Sequence, residues 1–187
     1  MARAGGGGER RRGAGGCGVL SYAYARAYAN DIVWLRLGPP GSEVPAERFE
    51  AESLAVLARE RCETSRQDMG MWGGPMWSQG KQLFCRAGRG GFVELGFEVR
   101  KAGRYRLRVL ATAAPDFGQV QAALDGKPAG GVFDLYSRRV CPSGSLELGT
   151  HALAAGPHRL RFTAAGRDAA SAGWRFGLDA IDLLSAK

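Results

Sequence analysis

The chain is 187 residues long, enough for one ordinary domain with a real core plus an extension, and short for two. It is 45% hydrophobic but only 9% aromatic, with 29 glycines and 8 prolines, which suits short strands joined by turns and argues against a helical bundle. The formal net charge is +8, yet the densest basic run, Glu9-Arg10-Arg11-Arg12, sits in a glycine-rich leader without the interleaved aromatics that single-strand binding uses, so no nucleic-acid partner is expected.

In chain order, Met1 to Gly18 is low-complexity and glycine-rich, with too few apolar groups to offset its ordering entropy, and is expected to be a disordered leader. It lacks the apolar core of a secretory signal, so by its own signals the chain is not exported. No apolar run reaches the roughly eighteen residues that a membrane span needs. Residues 19–46 read as a linker or as the remnant of an upstream domain: Asp31 to Leu37 alternates like a strand and stops at Gly38-Pro39-Pro40-Gly41. The main domain is expected over 47–187, with its first strand from Arg48 to Val56. A stretch of weak periodicity follows within Arg61 to Arg89, centred on Gln67 to Gly80, and leads into a strand at Gln82 to Cys85. A segment of that length without a period in a compact domain is usually functional.

The strongest strand signal is Phe92 to Thr112. Val93, Leu95, Phe97 and Val99 alternate with Glu94, Gly96, Glu98 and Arg100, and Tyr105, Leu107, Val109 and Ala111 alternate with Arg104, Arg106 and Arg108. With Lys101-Ala102-Gly103 between the arms, the pattern predicts an antiparallel hairpin whose outward glutamates face the arginines of the other arm. Further strands are expected at Gln119 to Leu124, Val132 to Tyr136, Leu146 to Leu148, Ala152-Leu153, His158 to Ala164 and Trp174 to Leu184. Asp125-Gly126 is a hairpin signal, and Cys141-Pro142-Ser143-Gly144 a turn. Eight or nine strands at about ten-residue spacing, with no amphipathic helix, predict an all-β, two-sheet antiparallel sandwich.

Cys17, Cys62, Cys85 and Cys141 form no Cys-x-x-Cys pair, which points away from a zinc cluster; a disulfide between Cys62 and Cys85 stays open. His151 and His158 fall beside turns or strand entries, and no Gly-x-Ser-x-Gly, phosphate loop or His-Glu-x-x-His motif occurs, so no catalytic residue is assigned. Asp116 and Asp134 at strand ends read as turn caps. Trp72, Trp77 and Trp174 lie in glycine-rich segments, with Gln67, Asp68, Gln79 and Gln82 near the first two. Asp116, Phe117 and Tyr136 lie at strand ends where loops converge. An aromatic plane flanked by amides or carboxylates is what a sugar needs, so Trp72, Trp77, Gln79, Asp116, Phe117, Tyr136 and Trp174 are the candidate ligand residues. The same tryptophans are also able to plug the open end of a core.

Several of these residues form a family pattern. Phe49-Glu50-Ala51-Glu52, Gly103-Arg104-Tyr105-Arg106-Leu107, Leu124-Asp125-Gly126, Ala155-Gly156-Pro157-His158-Arg159-Leu160 and Gly177-Leu178-Asp179-Ala180-Ile181 resemble the galactose-binding-like jelly rolls of carbohydrate-binding modules, families six and thirty-five above all. Ala114-Pro115-Asp116-Phe117-Gly118 with Asp134-Leu135-Tyr136 also resembles the accessory sandwich of some bacterial glycoside-hydrolase architectures. The resemblance spans Glu47 to Leu184 and speaks more for fold than for ligand. It implies a non-catalytic module for a glycan, or a spacer packed against an upstream domain with no sugar site of its own. It further implies an extracellular or periplasmic setting if the chain is a fragment, and a structural calcium held by Glu52 and Asp179. Read on their own, Glu52 is a solvated side chain and Asp179 an acceptor for backbone amides.

Overall fold

In the computed structural model, residues 43–186 are described; the leader 1–18 and most of the linker-like 19–46 lie outside them. The described residues form nine strands: β1 (Glu47–Glu50), β2 (Ala55–Asp68), β3 (Lys81–Val99), β4 (Gly103–Ala113), β5 (Gln119–Leu124), β6 (Lys127–Asp134), β7 (Cys141–Leu153), β8 (Gly156–Gly166) and β9 (Phe176–Ser185). All ladders between them are antiparallel, in the order β6-β5-β8-β3-β9-β4-β7, with β1 added to β9 and β2 to β3. The expected all-β antiparallel sandwich is what the chain forms. No helix among the described residues is long and apolar enough to cross a membrane.

The register of β3 shows how one hydrogen-bonded path becomes two layers. Leu83 to Cys85 pair with Leu178 to Phe176 of β9, whereas Phe92 to Val99 pair with Thr163 to Gly156 of β8. β2 follows it throughout, so the two strands form a ribbon that passes from the β8 layer to the β9 layer. The passage is made by a register shift between Glu60 and Cys62, with Arg61 at a φ of 46°. Gly91 allows the close approach: a Cβ there would lie 2.3 Å from the Arg61 carbonyl oxygen. Cys62 and Cys85 sit on this ribbon, buried, with both thiols free.

The expected hairpin over Phe92 to Thr112 is corrected by this topology. Its arms are β3 and β4, and they do not pair with each other: β3 pairs with β2, β8 and β9, and β4 with β7 and β9. Residues 100–102 form an arch from one layer to the other. The alternation was real, because Val93, Leu95, Phe97 and Val99 and then Tyr105, Leu107 and Val109 all enter one shared core. The charges therefore find other partners. Glu94 accepts from Arg161 of β8 at 3.0 Å, and Arg108 donates to Asp182 of β9 at 2.9 Å.

Three further boundaries differ. The expected first strand breaks at a 3₁₀ turn, Ala51–Ser53, because β1 belongs to β9 and β2 begins opposite Gly96 of β3, so the chain must change layers there. The aperiodic segment shrinks to 69–80, since β2 runs on to Asp68 and β3 starts at Lys81. Cys141 to Gly144, read as a turn, opens β7. Pro142 is tolerated there because β7 ends the path among the described residues, where an amide has no further described strand to bond. The Asp125-Gly126 turn between β5 and β6 is as expected, with φ of 48° and 80°.

Candidate functional site

At one end of the sandwich the strands are joined by 100–102, 125–126 and 154–155; at the other by 114–118, 135–140 and 167–175. The three longer loops are tied to one another through their backbones. Ala114 N–H donates to the Leu135 carbonyl at 3.0 Å, Leu135 N–H to Gly118 at 3.1 Å, Ala172 N–H to Pro115 at 3.0 Å and Gly118 N–H to Arg175 at 2.8 Å. Two isolated bridges, Ala114 with Tyr136 and Phe117 with Arg175, add to this. Buried Ser171 donates its hydroxyl to the Phe117 carbonyl at 2.7 Å, which pins the middle of one loop to another. With their amides engaged, these loops hold side chains in fixed places, as a binding surface requires.

Four of the predicted ligand residues meet here. Tyr136 and Trp174 are half-buried, and Trp174 packs against the core with the Arg167 guanidinium 5.9 Å from its ring centre. Asp116 is ion-paired with Arg175, which fixes both side chains at the loop surface. Asp134 accepts from the Tyr136 amide at 3.0 Å, the turn-capping role expected of it. Phe117 is only 4% exposed and tilts against Phe84 at 6.1 Å, so its ring is core material and presents no face to a ligand.

The other three lie in 69–80, which is built of three 3₁₀ turns and closed at its neck by Met69 N–H to the Gly80 carbonyl at 2.9 Å. Its two tryptophans differ sharply. Trp77 is fully buried and donates its indole N–H to the Thr112 hydroxyl at 2.7 Å, inside a polar chain that continues through Gln82 to Gln67. Trp72 is half-buried beside exposed Met71, and Gln79 is exposed. A covered indole leaves no face for a sugar ring, so of this trio Trp72 and Gln79 have the exposure that binding needs.

Behind this loop lie the carboxylates. Ser78 donates its amide to Asp179 Oδ1 and its hydroxyl to Glu50 Oε1, each at 2.7 Å. Glu52 is 6% exposed, and burial, reinforced by the neighbouring Glu50 charge, raises its pKa above the usual carboxylate value. The second oxygens of Glu50 and Glu52 are buried without a hydrogen-bond partner. Hard, orphaned carboxylate oxygens of this kind are the donors a calcium ion takes. Among the described residues, however, no three such side chains already close into a ligand set; Asp179 is joined to Glu50 through Ser78.

The fold matches a family 35 carbohydrate-binding module from an environmental isolate over 74% of this chain and 93% of that one, with a TM-score of 0.50 at 8% identity. The chain shares its fold with that module. The fold also matches a Podospora anserina GH26-CBM35 β-(1,4)-mannanase, with a TM-score of 0.50 and 14% identity over 75% of this chain and 28% of that protein. A larger TM-score, 0.65 at 22% identity, relates 80% of this chain to 14% of a Paenibacillus xanthan lyase. The chain thus spans a small part of the enzymes it matches. No family model matches the sequence, and no curated protein sequence does.

Sequence reasoning missed Ser78, Glu50 and Arg175. Glu50 was legible in the Phe49-Glu50-Ala51-Glu52 run, whose two acids sit where the chain leaves β1. Ser78 carried no signal, because its role rests on contacts 28 and 101 residues away along the chain.

Proposed function

We propose that this chain is a non-catalytic carbohydrate-binding module, with Tyr136 and Trp174 as the aromatic faces, Asp116 and Arg175 as the polar edge, and Trp72 with Gln79 on the neighbouring loop. The observation that carries this reading is the pair of half-exposed rings, Tyr136 and Trp174, held on three loops whose backbones are bonded to one another. Sugars offer apolar C–H faces bordered by hydroxyls, and a fixed ring beside an ion pair matches both parts. The shared fold with a family 35 module supports the same conclusion. Affinity gel electrophoresis over neutral and acidic polysaccharides tests it: retention by at least one glycan is expected, lost on Trp174→Ala, whereas silence across the panel removes it.

A structural calcium belongs to the same reading, with Glu50, Glu52 and Asp179 supplying oxygens. Its support is the two orphaned, buried carboxylate oxygens. Titrating chelator-treated protein with calcium is expected to release or absorb heat and raise the unfolding midpoint; no response in either would remove the ion.

A second reading, a spacer packed against an upstream domain, draws on Val56 and Leu57. They are 38% and 49% exposed on β2, whose ladder partner among the described residues is β3. Glycan silence combined with burial of β2 against a neighbouring domain would favour it.

A further inference from the structure

Cys62 and Cys85 are buried nucleophiles that glycan binding leaves unused, and the register of the β2–β3 ribbon brings them together. Cys62 stands opposite Ala87, and Thr64 opposite Cys85. Opposite residues of an antiparallel pair share a face, and so do residues two apart along a strand, so Cys62 and Cys85 are diagonal neighbours on one face. Both belong to the core, 8% and 0% exposed, and both thiols are free. We infer that this pair is a site of thiol–disulfide exchange, at which a low-molecular-weight disulfide closes a reversible Cys62–Cys85 staple across the ribbon.

The surroundings of the two sulfurs set the order of events. Cys62 lies on β2 between exposed Arg61 and Glu63, beside the register shift that interrupts the ladder after Glu60, and local opening of the ribbon at that irregularity uncovers its sulfur. Cys85 lies on β3 between two partners, opposite Thr64 of β2 and Phe176 of β9. The hydrogen bond with the Cys85 thiol holds the Cys62 thiol below the usual cysteine value against the effect of burial, whereas burial and that same bond push Cys85 up. The thiolate is the attacking form, so Cys62 reacts first. Its sulfur bonds to one sulfur of the small disulfide and displaces the other as a thiol. Cys85 then attacks Cys62 Sγ and displaces the second thiol. Two protein thiols are oxidised to one S–S bond, the small disulfide is reduced to two thiols, and the two protons given up by the cysteines go to the departing sulfurs. The staple lies between the layer passage at Glu60 to Cys62 and the neck of the 69–80 loop at Met69 and Gly80, so it encloses that loop and Trp72.

Treating the native chain with oxidised glutathione, alkylating the remaining thiols and digesting with trypsin without reductant tests the staple. Cleavage after Arg61, Arg66, Lys81 and Arg86 places the two cysteines in separate peptides, one running from Cys62 to Arg66 and one from Gln82 to Arg86. These two peptides are expected to be recovered joined, and to separate on adding dithiothreitol. The thermal midpoint is expected to rise by about 10 °C on oxidation, and by less than about 2 °C in Cys62→Ala treated alike. Cys85→Ala is expected to stop at a glutathione adduct on Cys62. Recovery of both wild-type peptides alkylated overturns the proposal, as does glutathione retained on wild-type Cys62 or a joint from either peptide to Cys17 or Cys141. A glutathione adduct on Cys85 in Cys62→Ala overturns the order of attack. The wild-type digest decides the pairing even if neither variant folds.

Discussion

The two ends of the sandwich solve different problems with the same strands. Where 100–102, 125–126 and 154–155 join them, connections are tight and side chains serve the turns themselves: His158 bonds Asp125 at 2.7 Å and the Ala154 carbonyl at 3.0 Å, and stacks near Phe97. Where 114–118, 135–140 and 167–175 join them, the backbones of the loops bond one another, and rings such as Tyr136 and Trp174 are left half-covered. One end closes the core; the other holds side chains still without closing over them. The difference teaches that exposure of an aromatic ring, rather than its presence in a glycine-rich segment, separates binding surface from core. Trp72 and Trp77 make the same point within a single loop.

The sharpest way to break that comparison is Trp77→Ala. It removes a fully buried indole together with the N–H that the Thr112 hydroxyl accepts, and is expected to lower stability by about 3 to 5 kcal/mol in chemical denaturation. Trp72→Ala in the same loop should move stability by about 1 kcal/mol or less and weaken glycan retention. Equal losses in the two variants would erase the distinction.

Next in size is Asp182→Ala. Its carboxylate is fully buried and receives Arg48 at 2.6 Å and Arg108 at 2.9 Å on the β9 layer. Removing it strands two guanidinium groups, and a loss of about 3 kcal/mol in denaturant is expected, with glycan retention unchanged at permissive temperature. Gly91→Ala strikes the ribbon where it changes layers. Its Cβ would meet a backbone carbonyl, so a loss of about 2 kcal/mol is expected.

The smallest effect belongs to the tight-turn end. Burial pulls the His158 pKa down, but the hydrogen bonds with Asp125 and the Ala154 carbonyl, together with the Asp125 charge, outweigh this and hold it above the usual 6.5. Burial likewise pushes Asp125 up, but its bonds with His158 and the Arg159 amide keep it below 3.8. Stability from the raised histidine is fully present below pH 6.5 and fades as pH rises through the folded-state value. Stability from the depressed aspartate is present above pH 3.8 and fades as pH falls below it. The midpoint difference between wild type and His158→Ala should thus be largest between those two values and narrow toward pH 9, while retention of glycan is unaffected by the substitution.

The period-two runs made the strands legible, because burial of one face is a local property that each residue announces for itself. Partner choice was not legible. Val93 to Val99 and Tyr105 to Val109 read the same whether they pair or face each other across a core, and only the layer change at 100–102 decides between them. Asp116, Tyr136 and Trp174 could be nominated from their places at strand ends. Their meeting could not, since it depends on loops far apart along the chain that bond through backbone atoms. Trp77 was nominated for the wrong reason: a glycine-rich neighbourhood says that the chain bends there, not which way the indole points.

The account stands most directly on the exposed rings of the long-loop end. Affinity gel electrophoresis of the double variant Tyr136→Ala with Trp174→Ala, on whichever polysaccharide retains the wild-type chain, is the decisive measurement. Loss of retention with a denaturation midpoint that still shows a cooperative fold is the predicted result. Undiminished retention by a folded double variant would contradict it.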